Sequence, residues 1–280
     1  MPQGTQHTLR KACPFEGKGL HTGALVRMTL LPAAPDSGIV FRRTDLSGRP
    51  EIPALAENVS GTARSTTLSS GAASVATVEH LLSALTGMGV DNAVVELYGP
   101  EVPILDGSAR FYVEAFLRDG LQEQPAPRSY FDIPNQLEIK DKASGAWIKI
   151  EPACAPSAQV TIDFGESVLG VQQCRWDLTT DYALEIGPCR TFVFYRDIER
   201  LMKNGLIKGG DLENALVITE EGYLGNPRLR FPDECGRHKL LDLLGDLRLA
   251  GGWVNARITA YKPGHSLNTR AAQALRTLLK

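Results

Sequence analysis

The sequence predicts an α+β fold in two similar halves, and three observations carry that prediction. Short β-rich runs, then an apolar helix, then a further strand occur once before and once after residues 119–133. The stretch between them, DGLQEQPAPRSYFDI, is polar, holds two prolines and has no periodicity, as a linker does. Finally, the two principal helices overlay. His80-Leu81-Leu82-Ser83-Ala84-Leu85-Thr86-Gly87 reads against His238-Lys239-Leu240-Leu241-Asp242-Leu243-Leu244-Gly245, with histidine, two leucines and the glycine in register. We read an old duplication, with domains at 1–125 and 126–280 that each present one histidine to a shared cleft.

Each element has its own signal. In the first half, strands are expected at 24–33, 38–43 and 92–99, where β-branched and aromatic residues concentrate. A helix at 78–86 lies between the last two and is closed by Gly87. A second helix is expected at 108–118. In the second half, strands are expected at 136–141, 146–152 and 159–164. A long helix at 233–249, a strand at 255–261 and a terminal helix from 269 complete the pattern.

Composition removes several classes of function. The chain has 280 residues, 43% hydrophobic and 22% charged, the balance of an ordinary globular protein. A net charge of −2 gives no electrostatic pull toward nucleic acid. No run approaches the ~20 apolar residues that span a bilayer. The amino terminus lacks the apolar stretch of a signal peptide, so a cytoplasmic protein is expected. Cysteines 13, 154, 174, 189 and 235 are scattered and form no CxxC pair. Any metal is therefore expected on histidine and carboxylate.

The helix around His238 is the most informative stretch. His238, Asp242 and Asp246 recur every four residues, so they share a face apart from the leucines. His238 and Asp242 can then ligate one ion, as the two histidines of an HExxH helix do. A solvated polar face gives the same spacing. His80 is the candidate third ligand, although taken alone it reads as a core histidine at a helix start. Glu79 projects about 100° away from it and need not bind metal. Two histidines and one aspartate leave a coordination position open, the mark of a catalytic rather than a structural zinc site. His265, in the glycine-containing loop KPGHSLN, is a further candidate, since loops on rigid elements often carry catalytic groups. Taken alone, that loop favours an ordinary exposed histidine.

Several blocks resemble those of the UDP-3-O-acyl-N-acetylglucosamine deacetylases, zinc hydrolases of the first committed step of lipid A synthesis. They are GKGLHTG, FRRTDL, TVEHLLSALTGMGVDNAVVEL, PEVPILDGSA, RTFVF, GRHKLLDLLGD and AYKPGHSLN, spread from about residue 9 to 278. The resemblance implies two two-layer α/β sandwich domains packed helix layer to helix layer, each with a small insert. It implies a metal at their junction on His80, His238 and Asp242; zinc is expected, and ferrous iron suits the same ligands. Glu79 matches the general base and His265 the general acid, with Asp246 holding His265 oriented and charged. Thr191 is expected to stabilise the oxyanion with the metal, and Lys239 to add positive charge. Asp106 reads either as an acceptor behind a metal-binding histidine or as a turn residue before glycine.

The resemblance also places an insert at 192–220 that forms a hydrophobic passage for an acyl chain. Phe192 and Phe194 alternate as in a strand and flank the sugar and acyl chain. Asp197 and Ile198 lie on a short helix that ends at Gly205. Ile207, Gly210, Leu212, Ala215 and Val217 follow along the passage, and Lys262 is expected at the substrate. The implied partner is a UDP-linked, acylated N-acetylglucosamine bound by a monomer. Two alternatives are a zinc amidase for another acylated sugar and a binding protein that has lost catalysis. Retention of all five polar residues of the centre argues against the latter.

Overall fold

The computed structural model describes residues 4–165 and 168–279. The first half runs β1 (Thr5–Leu9), β2 (Cys13–Lys18), β3 (Leu25–Pro32), β4 (Ile39–Arg43), β5 (Glu51–Pro53), β6 (Val59–Gly61), β7 (Thr67–Ser70), β8 (Ala73–Val75), α1 (Glu79–Gly87), β9 (Ala93–Tyr98) and α2 (Arg110–Asp119). After β10 (Leu121–Pro127) and β11 (Tyr130–Asp132), the second half runs β12 (Leu137–Lys140), β13 (Trp147–Pro152), β14 (Ser157–Asp163), β15 (Val171–Asp177) and α3 (Tyr182–Glu185). It ends with β16 (Phe192–Phe194), α4 (Tyr195–Lys203), β17 (Leu216–Ile218), α5 (Glu234–Leu247), β18 (Trp253–Tyr261) and α6 (His265–Leu278).

The repeat read from two helices extends to the sheets. One sheet has the order β2-β3-β9-β4-β5 and the other β12-β13-β18-β14-β15, with β11 also beside β18. Counted along the chain, both are first–second–fifth–third–fourth. In both, the fifth and third strands are parallel and the other neighbours antiparallel. A parallel pair needs a crossover, and a helix supplies it in each half: α1 before β9 and α5 before β18. Each half also carries a small insert ahead of that helix. The first is the β6-β7-β8 sheet, and the second is the parallel pair β16-β17 with α4 between.

The strands alternate between a buried and a solvated face, as in the iBiBiBi pattern of β14. The buried faces are covered by helices, and α1 meets α5 in the middle. This central position explains why α1 is buried on every side from Glu79 to Thr86. A glycine allows the contact. A Cβ on Gly245 would lie 2.0 Å from the backbone oxygen of Glu79, so only a hydrogen lets the two helices approach so closely.

Two expectations are corrected. Residues 119–133 are not an irregular linker, because β10 pairs antiparallel with β1. The expected boundary at 125 therefore falls inside a strand. Its polarity misled because the one buried polar residue of the strand is bonded inward: Gln124 donates to Ala33 O at 2.8 Å and accepts from Asn92 at 2.8 Å. The terminal helix starts at His265, four residues earlier than expected, so His265 opens a helix instead of sitting in a loop. Gly264 caps it with an extended backbone, and the Asn268 N–H already bonds Gly264 O at 2.9 Å. No helix among the described residues is long and apolar enough to cross a membrane.

Candidate metal centre and active site

Where α1 meets α5, His80, His238 and Asp242 converge. All three are buried, and their ligand atoms lie within 4.8 Å of one another. The Nε2 atoms of His80 and His238 stand 3.5 and 3.3 Å from Asp242 Oδ1. That oxygen is buried and has no hydrogen-bond partner. A bare carboxylate oxygen between two imidazole nitrogens is costly unless a cation completes it, so the donor set fits a divalent metal. His238 Nδ1 lies 3.0 Å from the carbonyl of Cys189, which makes Nδ1 the donor and turns Nε2 to the metal position.

The electrostatics agree with this use. Burial pushes the His238 imidazole down to about 4, against the opposing pull of Asp242, so it is neutral and ready to ligate. Burial works against the charge of Asp242. Even so, His238 and Lys239 hold its carboxyl well below the usual carboxylate range. With His238 neutral, Lys239 is the standing cation, its Nζ 2.6 Å from Asp242 Oδ2.

Beside these ligands lies an acid–base group. Glu79 Oε1 is 3.9 Å from His265 Nε2. Asp246 Oδ2 lies 3.0 Å from His265 Nδ1 and accepts from Asn268 at 2.9 Å. Its other oxygen accepts from the Thr66 hydroxyl at 2.5 Å, and the Thr66 N–H donates to Glu79 Oε2 at 2.9 Å. One threonine thus holds both carboxylates. Burial alone would lower His265, but the charges of Asp246 and Glu79 outweigh it and hold the imidazole up at about 9. Burial raises the Glu79 carboxyl, against the opposing pull of His265 and His80. The His265 imidazolium therefore faces the Glu79 carboxyl group at neutral pH.

His238, Asp242 and His265 open into a cleft of about 550 Å³, with Glu79, His80 and Asp246 buried behind them. Thr191, Phe192, Phe194, His238, Lys239, Asp242, Lys262 and His265 line it, as do Arg64, Phe164 and Arg270. Phe192 and Phe194 project together from β16, each edge-on to Phe164 at 5.8 and 5.3 Å. Lys262 Nζ lies 3.5 Å from Asp163 and above the Tyr261 ring.

Beyond Phe194, the insert residues do not line this cleft. Asp197 pairs with Arg64 at 3.0 Å and Arg200 at 2.9 Å. Ile198 and Ala215 are half-buried, Val217 is buried in β17, and Leu212 is 51% exposed. Ile207 offers its N–H to His21 Nδ1 at 3.5 Å, and exposed Gly210 bonds back to Ile207 O at 3.0 Å. The insert is laid against the first half here: Lys208 and Gly209 donate to the carbonyls of His21 and Leu20, and Lys18 pairs with Asp211. These bonds hold that part of the insert against the first half.

Asp106 takes the turn role. It accepts from the N–H and hydroxyl of Ser108 and pairs with Arg230 at 2.8 Å, with no bond to a ligand histidine. The sequence reading missed Thr66, Asn268 and Cys189. Asn268 carried a signal, since it stands three residues after His265 on one helix and shares its acceptor. Thr66 carried none, because only the fold brings residue 66 to residue 246.

The family model for UDP-3-O-acyl N-acetylglycosamine deacetylase matches residues 6–277. The UDP-3-O-acyl-N-acetylglucosamine deacetylase of Myxococcus xanthus is 47% identical over 94% of this chain and 83% of its own length. That of a Nostoc species is 44% identical over 98% of this chain and 99% of its own. The bifunctional enzyme LpxC/FabZ of Porphyromonas gingivalis is 41% identical over 98% of this chain, which spans 65% of that relative's length. With almost every residue matched, from the first strand to the last helix, the chain belongs to the UDP-3-O-acyl N-acetylglycosamine deacetylase family.

Proposed function

We propose that this chain removes the N-acetyl group from a UDP-3-O-acyl-N-acetylglucosamine, giving acetate and the free amine, the first committed step of lipid A synthesis. The observation that carries the reading is the unpartnered, buried Asp242 Oδ1 between two imidazoles, with His265 opening into the same cleft and Glu79 beside it. His80, His238 and Asp242 would hold the metal, which we take to be zinc. When bound there, it lowers the pKa of a water toward ~7 and polarises the amide carbonyl.

The protein's own groups do the rest. Glu79 takes a proton from the attacking water as the water oxygen bonds to the acetyl carbon. Its carboxylate is aimed by the Thr66 N–H. Thr191 donates its hydroxyl to the developing oxyanion, and Lys239 adds positive charge beside it. As the carbon–nitrogen bond breaks, His265 Nε2 gives its proton to the leaving amine. Asp246 keeps that imidazole charged and pointed by holding Nδ1. Phe192, Phe194 and Lys262 hold the sugar and its substituents. The remaining insert residues, Asp197, Ile198, Ile207, Gly210, Leu212, Ala215 and Val217, are proposed to meet the acyl chain. Each half, 1–125 and 126–280, acts as a domain giving one histidine. The site is complete within one chain, which supports a monomer, and we place the reaction in the cytoplasm.

The test is acetate release from the acylated UDP-sugar by protein with and without metal. Metal-dependent turnover is expected, falling when the acyl chain is removed. No turnover by folded, metal-loaded protein contradicts the reading.

A further inference from the structure

Thr191 is held in place by three elements, two directly and one through its neighbour Arg190. Its N–H donates to Gly107 O at 2.8 Å, and its carbonyl accepts from Leu216 N at 2.8 Å. The Gly107 turn has no slack: φ is +78°, and a Cβ there would lie 1.9 Å from Asn214 O. The third element is the start of α5, through Glu234.

Glu234 is 1% exposed, and its carboxylate is fully engaged. Oε1 accepts from Arg190 N at 3.1 Å and from Arg190 Nε at 2.8 Å. Oε2 accepts from Arg190 Nη2 at 3.1 Å and from Arg230 N at 2.7 Å. A buried carboxylate persists only with such pairing, and the guanidinium fork fixes direction as well as charge. Four residues on, His238 of the same helix bonds the carbonyl of Cys189. Residues 189 and 190 are thus fastened to α5 at two points, one of them a metal-ligand candidate. Arg230 extends the arrangement to the first half, reaching Asp106 and Ser108, and also donates to Pro188 O beside Cys189. The residue next in line, Thr191, takes its place from these bonds.

We infer that Glu234 is a positioning residue that acts through Arg190 to set the Thr191 hydroxyl relative to the metal ligands. This rests on the proposed oxyanion role of Thr191. Misplacing a reacting group by an ångström costs up to about 10²-fold in rate, so a clamp on the preceding residue matters to turnover and not to substrate affinity.

Glu234→Gln keeps the side chain's size but turns an NH2 toward two donors. It is expected to lower kcat by up to about 10²-fold, with KM and metal content unchanged. Thr191→Val alone should lower kcat about 10²–10³-fold. In the Thr191→Val background, Glu234→Gln should cost nothing further. Equal losses in both backgrounds, or no loss in the wild type, overturn the inference and leave the oxyanion reading standing. An unchanged kcat in Thr191→Val overturns the oxyanion reading and this one with it. If Glu234→Gln fails to fold, Arg190→Lys keeps the main-chain bond but loses the fork. The same non-additivity with Thr191→Val is then expected, and additivity overturns the inference.

Discussion

Glu79 and His265 show how neighbouring residues acquire opposite tasks. Glu79 is buried and His265 half-buried, yet one is surrounded so as to accept a proton and the other so as to keep one. Glu79→Gln keeps the bond from Thr66 but cannot accept a proton. It should lower kcat by about 10²–10⁴-fold while metal content and KM stay near wild type. A loss of metal in that variant would mean that Glu79 ligates. The pH profile gives a second test. His265 is raised from an ordinary 6.5 to about 9 by Asp246 and Glu79 against burial, so its protonated form dominates at neutral pH. Folding stability from this group is full below the unfolded value near 6.5 and is lost as pH rises through about 9. Activity should follow the same proton and fall on the alkaline side. The acid limb belongs to Glu79, displaced above the usual carboxylate range. Asp246→Asn removes the charge that holds His265 up, so the alkaline limb of kcat/KM should move toward lower pH. The sign of that shift follows from the lost charge, whatever the limb's absolute position. An unmoved limb would assign the general acid elsewhere.

Among the elements, α1 and α5 carry the site, and the sequence disclosed them unevenly. The i, i+4 spacing of His238, Asp242 and Asp246 was legible because helix geometry alone puts them on one face. The pairing of His80 with His238 was legible through the leucines and the glycine in register. The start of α6 was not, because Gly264 and the polar residues after it look like a loop until the Asn268 N–H is seen to close the first turn. Nor was the role of Gly245, which in sequence is only a match to Gly87. In the structure it marks the crossing of the two helices, with Glu79 backbone 2.0 Å from its absent Cβ. Gly245→Ala must push α1 away and carry Glu79 and His80 with it. A lower Tm and a loss of about 10²-fold in kcat/KM are expected together. A wild-type Tm with wild-type activity would show that the crossing tolerates a methyl group.

For the molecule as a whole, the fold is two copies of one strand order meeting through their helices, so that each copy gives one histidine to a common centre. The duplication could be read from an eight-residue overlay because symmetry repeats the same constraints. Links across the halves could not, since nothing local requires Thr66 to bond Asp246 or Arg230 to bond Asp106. The substrate passage was likewise only implied by resemblance, and the insert lies closed against the first half. A metal at the junction binds the folded state alone, so stripping it should lower Tm in a concentration-dependent way. It would do so by leaving Asp242 Oδ1 buried and unpaired between the two histidines.

The central claim is that one metal ion on His80, His238 and Asp242 drives deacetylation. The direct measurement is acetate release from the acylated UDP-sugar by chelator-treated protein titrated with zinc. Activity should vanish without metal and return to a plateau at one ion per chain, and Asp242→Ala should abolish both the binding and the return. Undiminished turnover by folded, metal-free protein would contradict the account.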